Sequence, residues 1–271
     1  MLMTSFKKRI GLTRKGLKCL ILIREKNCSK IIINLKKNRG EKMKNFLGYA
    51  SNGEYSVGCT GQTVYLFNKD GNELAKFKDL KYAYSPIISP DGKIFVVKST
   101  EGRIAVYSLE SVSLIKKFRF SKVNGSQDDN FCFSPDGEEF YNIERHIDSC
   151  KTALSVYDTS EFSLKKKVLY DDYNIVLAAV EYSLEENKIF LLGFMREPQS
   201  GVAYKFFVGE LAKDSLQNII YISEKEYGFY LDCKHFEMHS FAVTKYYTAE
   251  EIDTIKKAKH SLEKLWKYYS K

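Results

Sequence analysis

Four residues able to ligate a metal, Cys233, His235, Glu237 and His239, fall at alternate positions near the end of the chain. In a strand they would share one face, with Phe236 and Met238 on the other. Two histidines spaced in this way can grip a metal, and Cys and Glu are suitable further ligands. The same alternation of polar and apolar residues marks any half-exposed outer strand. A second ligand pair elsewhere would be needed to prefer the metal, and the sequence offers none. Paired carboxylates stand at Asp128-Asp129 and Asp171-Asp172, each beside polar residues typical of solvated loops. There is no His-Glu-x-x-His, no Gly-x-Ser-x-Gly, no phosphate-binding Gly-rich loop with its Lys, and no Gly-x-Gly-x-x-Gly after a strand. No catalytic residue, metal ligand or cofactor is therefore assigned from the sequence.

The elements that would carry such groups are repeated. Ser-Pro-Asp-Gly occurs at Ser89–Gly92 and again at Ser134–Gly137, 45 residues on, and the flanking segments superimpose. Lys93-Ile94-Phe95-Val96-Val97 and Ile104-Ala105-Val106-Tyr107-Ser108 follow the first copy. Glu139-Phe140-Tyr141-Asn142-Ile143 and Leu154-Ser155-Val156-Tyr157-Asp158 follow the second. From turn Gly to Tyr the interval is 15 residues in one copy and 20 in the other, which puts the extra residues in the loop around Glu144 to Lys151. Fainter copies extend the series. Ser51-Asn52-Gly53-Glu54-Tyr55 and Ser183-Leu184-Glu185-Glu186-Asn187 replace the turn, and a fifth unit near Tyr230 to Tyr246 is recognisable only as an alternating apolar run. Pro presets the second turn position, Asp accepts local backbone hydrogen bonds, and Gly takes positive φ, so each motif predicts a hairpin turn. A period of 40 to 50 residues with strands inside each unit predicts stacked β units, none of which buries its apolar face alone.

On these residues the chain resembles the WD40-like bacterial β-propeller repeats, which place Ser-Pro-Asp-Gly after the innermost strand and an aromatic-Asp pair at the end of the third. Tyr157-Asp158 matches the pair; Tyr107-Ser108 and Phe67-Asn68 keep only the aromatic. The Gly-His dipeptide of true WD40 units is missing from every copy. The resemblance spans roughly residues 46 to 247 and implies an all-β, propeller-like array of about five four-stranded blades. A seven-bladed ring does not fit in that span, whereas a compact ring, an open array or a ring completed by a second copy does.

Two segments flank the repeats. Residues 1–42 carry 13 Lys and Arg against two Glu, so the net charge of +9 lies there, and the remainder has a net charge of −2. This extension reads as a basic arm for polyanions or an anionic membrane surface, as the source of an outer strand at Lys30–Leu35, or as sequence that is not native ahead of Met43. The repeat domain, 43–247, gives no compositional case for nucleic-acid binding. At the other end, Thr248-Ala249-Glu250-Glu251 is a capping box. Ile252, Ile255, Leu262, Leu265, Trp266 and Tyr269 recur at helical spacing, which predicts an amphipathic helix over about 249–269 within a C-terminal segment, 248–271, packed on the repeats. Six unpaired-looking Cys, no secretory signal and no apolar run long enough to span a membrane indicate a cytoplasmic protein.

The functional expectation is a non-catalytic protein-interaction scaffold whose partner is another protein. In propellers of this kind the loops opposite the Ser-Pro-Asp-Gly turns border the channel mouth, here Lys81–Tyr84, Lys122–Asn130, Glu144–Lys151 and Arg196–Gly201. Tyr82, Tyr84, Arg145, His146 and Arg196 are the candidate partner-binding residues, because aromatic residues and Arg are enriched at binding hot spots. The alternative is a channel-mouth hydrolase or lactonase using a metal or carboxylates.

Overall fold

The computed structural model describes residues 31–32, 45–120, 131–146, 151–169, 174–239 and 261–270; within strands and helices, the side chains of 31–32, 45, 145–146, 169 and 232–239 are not described. Four antiparallel sheets, each of four consecutive strands, make up the body. The first blade holds β3 (Gly48–Ser51), β4 (Tyr55–Cys59), β5 (Val64–Asn68) and β6 (Glu73–Phe77). The second holds β7 (Ala83–Ile88), β8 (Ile94–Ser99), β9 (Arg103–Ser108) and β10 (Ser113–Arg119). The third holds β11 (Phe131–Phe133), β12 (Glu139–His146), β13 (Lys151–Asp158) and β14 (Ser163–Leu169). The fourth holds β15 (Ile175–Ser183), β16 (Lys188–Arg196), β17 (Ala203–Ala212) and β18 (Ser215–Ile222). Ahead of them a short pair, β1 (Ile31–Ile32) with β2 (Asn45–Phe46), runs antiparallel with Ile31 opposite Phe46. Of the candidate outer strand Lys30–Leu35, only Ile31–Ile32 are described, and they pair with β2 in a two-stranded sheet separate from the four blades.

The repeat is visible as hydrogen bonding. Gly92 N–H donates to the Ser89 carbonyl at 2.9 Å and Gly137 N–H to that of Ser134 at 2.9 Å, with both glycines at positive φ (68° and 75°). In each turn the Ser hydroxyl donates to the Asp two residues on, and also accepts the N–H five residues on, which is Ile94 in one copy and Glu139 in the other. Gly53 takes the left-handed position in the first blade, and Asn187 takes it in the fourth at φ 53°, the residue type that best tolerates it after Gly. All four outer strands also carry a register shift against their inner neighbour. Such bulges twist exposed edges away from further pairing.

The core lies between blades. Val57, Leu66, Phe95, Val97 and Tyr107 join the first and second; Val96, Ile104, Phe133 and Phe140 join the second and third; Ile143, Leu154, Leu177 and Phe207 join the third and fourth. Each strand therefore alternates between two neighbours, as at Phe95, Val96 and Val97, which is why the strands read as continuous apolar runs. Close approach of the inner strands β3 and β7 requires Gly48, where a Cβ would stand 1.8 Å from the Tyr84 carbonyl oxygen.

The fifth repeat expected near Tyr230–Tyr246 is not a blade where it is described. Glu224–His239 forms a helix, α1. Ser223 caps it: the Glu226 N–H donates to the Ser223 hydroxyl at 3.2 Å, while the Ser223 N–H donates to the Glu226 carboxylate at 3.1 Å. No Val, Ile or Thr occurs in the segment, so no β-branched residue in it favours the extended chain. α1 lies against β17 of the fourth blade and β3 of the first, bridging the two ends of the array. Its Tyr230 is 1% exposed and donates to Glu181, and Tyr227 packs on Phe194 and Phe206.

A second helix, α2 (Leu262–Tyr269), begins at the N-cap Ser261. The expected capping box at Thr248–Glu251 and the helix from 249 to 260 lie outside the described residues. Leu262 and Leu265 are buried with Phe190, Leu192 and Val208, and the Trp266 Nε1–H donates to the Asn218 carbonyl at 3.1 Å. The described part of the C-terminal apolar stripe, Leu262, Leu265 and Trp266, is thus packed against the fourth blade.

Candidate functional site

Strand order decides which loops share an edge. In every blade the connection between the first and second strands, which includes both Ser-Pro-Asp-Gly turns, lies on one edge. The connections between the second and third strands, and those leading to the next blade, lie on the other. The loops singled out from the sequence all belong to that second edge, where backbone hydrogen bonds tie loops together. Gly61 of the first blade and Ala83 of the second form a backbone bridge, and within the second blade Thr100 N–H donates to the Tyr82 carbonyl at 3.2 Å and Phe120 N–H donates to the Gly102 carbonyl at 3.0 Å. In the fourth blade Arg196 N–H donates to the Asn174 carbonyl at 2.8 Å.

The candidate residues differ in how they are held. Tyr82 occupies the turn between β6 and β7, is 59% exposed, and has φ 53°. Tyr84 is in β7, half-buried, with its carbonyl facing Gly48. Arg145 and His146 end β12 opposite Thr152 and Lys151 rather than lying in a loop; their side chains are outside the described residues. Arg196 ends β16 and is only 8% exposed, so its bulk belongs to the blade. The five residues share an edge and come from three blades: Tyr82 and Tyr84 from the second, Arg145 and His146 from the third, and Arg196 from the fourth. Residues 122–130 and 147–150 lie outside the described residues.

Sequence reasoning missed the buried polar layer just beneath this edge. Lys98, 2% exposed, reaches from the second blade to donate to the Ile143 carbonyl of the third at 3.1 Å, over the rings of Phe120 and Phe131 at 4.9 and 5.7 Å. Glu144 is buried and accepts from Ser155 at 2.7 Å, Tyr157 at 3.2 Å and Lys167. Burial, followed by the Glu144 charge, raises the Tyr157 hydroxyl well above its ordinary value. Thr152 Oγ1 accepts the Leu177 N–H at 2.9 Å and links the third blade to the fourth. A lysine ending the apolar run Ile94–Val97 was the available signal.

Among the described residues, one carboxylate trio comes close enough to hold a cation: Glu185, Glu186 and Glu263. It lies on the Ser-Pro-Asp-Gly edge, where the fourth turn meets α2. Lys267 stands 2.8, 2.8 and 2.7 Å from the three. That lysine, followed by Ser183, holds the Glu263 carboxyl below its usual range, and the trio acts as the clamp that seats α2. Asp128-Asp129 and Asp171-Asp172 lie outside the described residues. The alternate-face ligand set at Cys233–His239 requires a strand, and the segment is helical.

No family model and no curated protein matches the sequence. Among solved structures, hydrazine synthase of Kuenenia stuttgartiensis superimposes with a TM-score of 0.51 at 16% identity, over 64% of this chain and 52% of that one. The chain has a β-propeller-like fold. It spans about half the length of that neighbour, and the likeness concerns fold alone. In this propeller-like array four blades are described, with α1 between the last and the first. No described helix is long and apolar enough to cross a membrane.

Proposed function

We propose that the chain is a non-catalytic, cytoplasmic protein-interaction scaffold of the WD40-like propeller type found in bacteria. Its partner docks on the edge opposite the Ser-Pro-Asp-Gly turns. The observation that carries this reading is Tyr82. An exposed tyrosine at positive φ costs about 1 kcal/mol and persists only where its surroundings over-determine it. Here the Tyr82 carbonyl accepts the Thr100 N–H and the next residue, Ala83, is bridged to Gly61, so the backbone that follows the ring is fixed. A large aromatic is thereby presented already ordered, which lowers the entropy cost of binding. Tyr84, Arg145, His146 and Arg196 extend the same edge. A residual charge near zero over residues 43–271 supports a protein partner rather than a nucleic acid.

The test is affinity capture from the source cells on the wild-type chain and on Tyr82→Ser, with quantitative mass spectrometry and a metal assay of both. One partner retained in stoichiometric amount by the wild type and lost by the variant is the expected result. No partner, together with one equivalent of tightly bound divalent metal, would replace the scaffold with the channel-mouth hydrolase.

A further inference from the structure

A groove of about 360 Å³ runs down the outer wall between the second and third blades, from Phe120 and Glu144 near the mouth to Phe162, Ser163 and Leu164 at the opposite edge. We infer that it binds an acidic peptide segment of a partner protein, with one aromatic or long aliphatic side chain seated against Phe118, Phe162 and Leu164. The proposal rests on the scaffold reading only in taking a protein as the partner, and it places a second interface away from the mouth.

The walls are apolar where they need not be. Phe118, Phe162 and Leu164 line the groove, and Leu164 is 52% exposed. An outer strand that faced only water would gain nothing from an exposed leucine at that place, whereas exposed apolar patches rimmed by polar groups mark interaction sites. The rim is basic. Lys116 Nζ crosses between the blades to donate to the Glu161 carbonyl at 2.6 Å and the Phe162 carbonyl at 3.3 Å. Those acceptors are neutral carbonyl oxygens. Among the described residues no carboxylate pairs with Lys116 or with Arg119. The one acid in the groove, Glu144, is buried and matched by Lys167, Ser155 and Tyr157. Two cations with no carboxylate partner among the described residues thus stand beside an aromatic trough, on a chain that is slightly acidic from residue 43 onward. The complementary ligand carries carboxylates next to a ring or aliphatic chain. A strand the length of β10, seven residues, is roughly 23 Å long at about 3.3 Å per residue, enough to accompany a short extended peptide.

The experiment selects from a displayed library of random 12-residue peptides on the full chain. A fluorescein-labelled copy of the most enriched sequence is then titrated by fluorescence anisotropy. Winners should carry Asp or Glu beside Phe, Tyr, Trp or Leu, and their affinity should fall as salt rises. Leu164→Glu and Arg119→Glu should each weaken binding tenfold or more, while Tyr82→Ser should leave it unchanged. Both groove residues are exposed, so unaltered thermal melting of the variants excludes a folding defect. The proposal is overturned if nothing is enriched, if the winners lack carboxylates, or if they bind the groove variants as tightly as the wild type. Loss with Tyr82→Ser alone would assign the peptides to the mouth and also overturn it. A dimer in sedimentation that Leu164→Glu dissociates would make a second copy the occupant and overturn the peptide.

Discussion

Replacing Gly48 by Ala tests the packing of the first two blades at its tightest point. The added Cβ would lie 1.8 Å from the Tyr84 carbonyl oxygen and 3.0 Å from Pro86 Cδ. Real Cβ atoms keep 3.0 Å or more from such neighbours, so β3 and β7 must part by more than an ångström. The obstacle is backbone tied into the sheet, and it cannot rotate away as a side chain would. Overpacking of this kind costs about 1–3 kcal/mol, and we expect the upper half of that range because two strands must move together. Ala also favours the strand slightly over Gly, which offsets less than about 1 kcal/mol. At roughly 2–4 °C per kcal/mol for a domain of this size, the melting temperature should fall by about 4–10 °C. Gly228→Ala in α1 is the companion: a Cβ there meets nothing within 4 Å, and a helix gains about 0.8–1 kcal/mol from the change. Thermal unfolding followed by circular dichroism reads both. An unchanged melting temperature for Gly48→Ala would refute the close approach of the inner strands, and a lowered one for Gly228→Ala would refute the helix that bridges the array.

Three further outcomes follow from local chemistry. Asp91 is held below its ordinary value because, although burial alone would raise it, hydrogen bonds from Ser89 and Lys93 outweigh that; Asp136 is held down by Ser134 and Glu138. A carboxyl depressed on folding contributes stability that is complete above its unfolded value near 3.8 and lost as pH falls through the folded one, so stability should decline below about pH 4. Urea titrations at pH 5 and pH 3 should show a smaller difference for an Asp91→Asn, Asp136→Asn double variant than for the wild type. Burial pushes the Cys59 thiol far up, so native-state alkylation mapped by mass spectrometry should leave Cys59 unlabelled until the chain unfolds, while the half-buried Cys132 reacts before it. Leu265→Ala should cost about 2–4 kcal/mol and shift the emission of Trp266, the only tryptophan, to the red as α2 loosens from Phe190 and Asn218; an unshifted spectrum would mean α2 is seated otherwise.

Much of the blade architecture was legible because turns and strands have local causes. Ser89–Gly92 and Ser134–Gly137 fold as the motif demands, and the degenerate turns at Ser51–Tyr55 and Ser183–Asn187 keep a residue suited to positive φ. The helix α1 was missed because Cys233, His235, Glu237 and His239 alternate as a strand would. Ser223 and Glu226, a capping box, and the lack of any β-branched residue from 224 to 239 were the contrary signals. For the candidate site, strand order set the edge, and tertiary packing set everything else. Nothing local distinguishes Tyr82, left in solvent at positive φ, from Arg196, whose side chain the fourth blade buries. Lys98 and Glu144 read as ordinary charged residues until the second and third blades close over them.

The central claim is that a partner binds the edge opposite the Ser-Pro-Asp-Gly turns. Hydrogen–deuterium exchange on the chain, alone and with the captured partner, tests it most directly. We predict slowed exchange at 78–84 and 197–203 with no change at 89–93 and 134–138. Protection confined to the Ser-Pro-Asp-Gly edge, with 78–84 and 197–203 unaltered, would contradict the account.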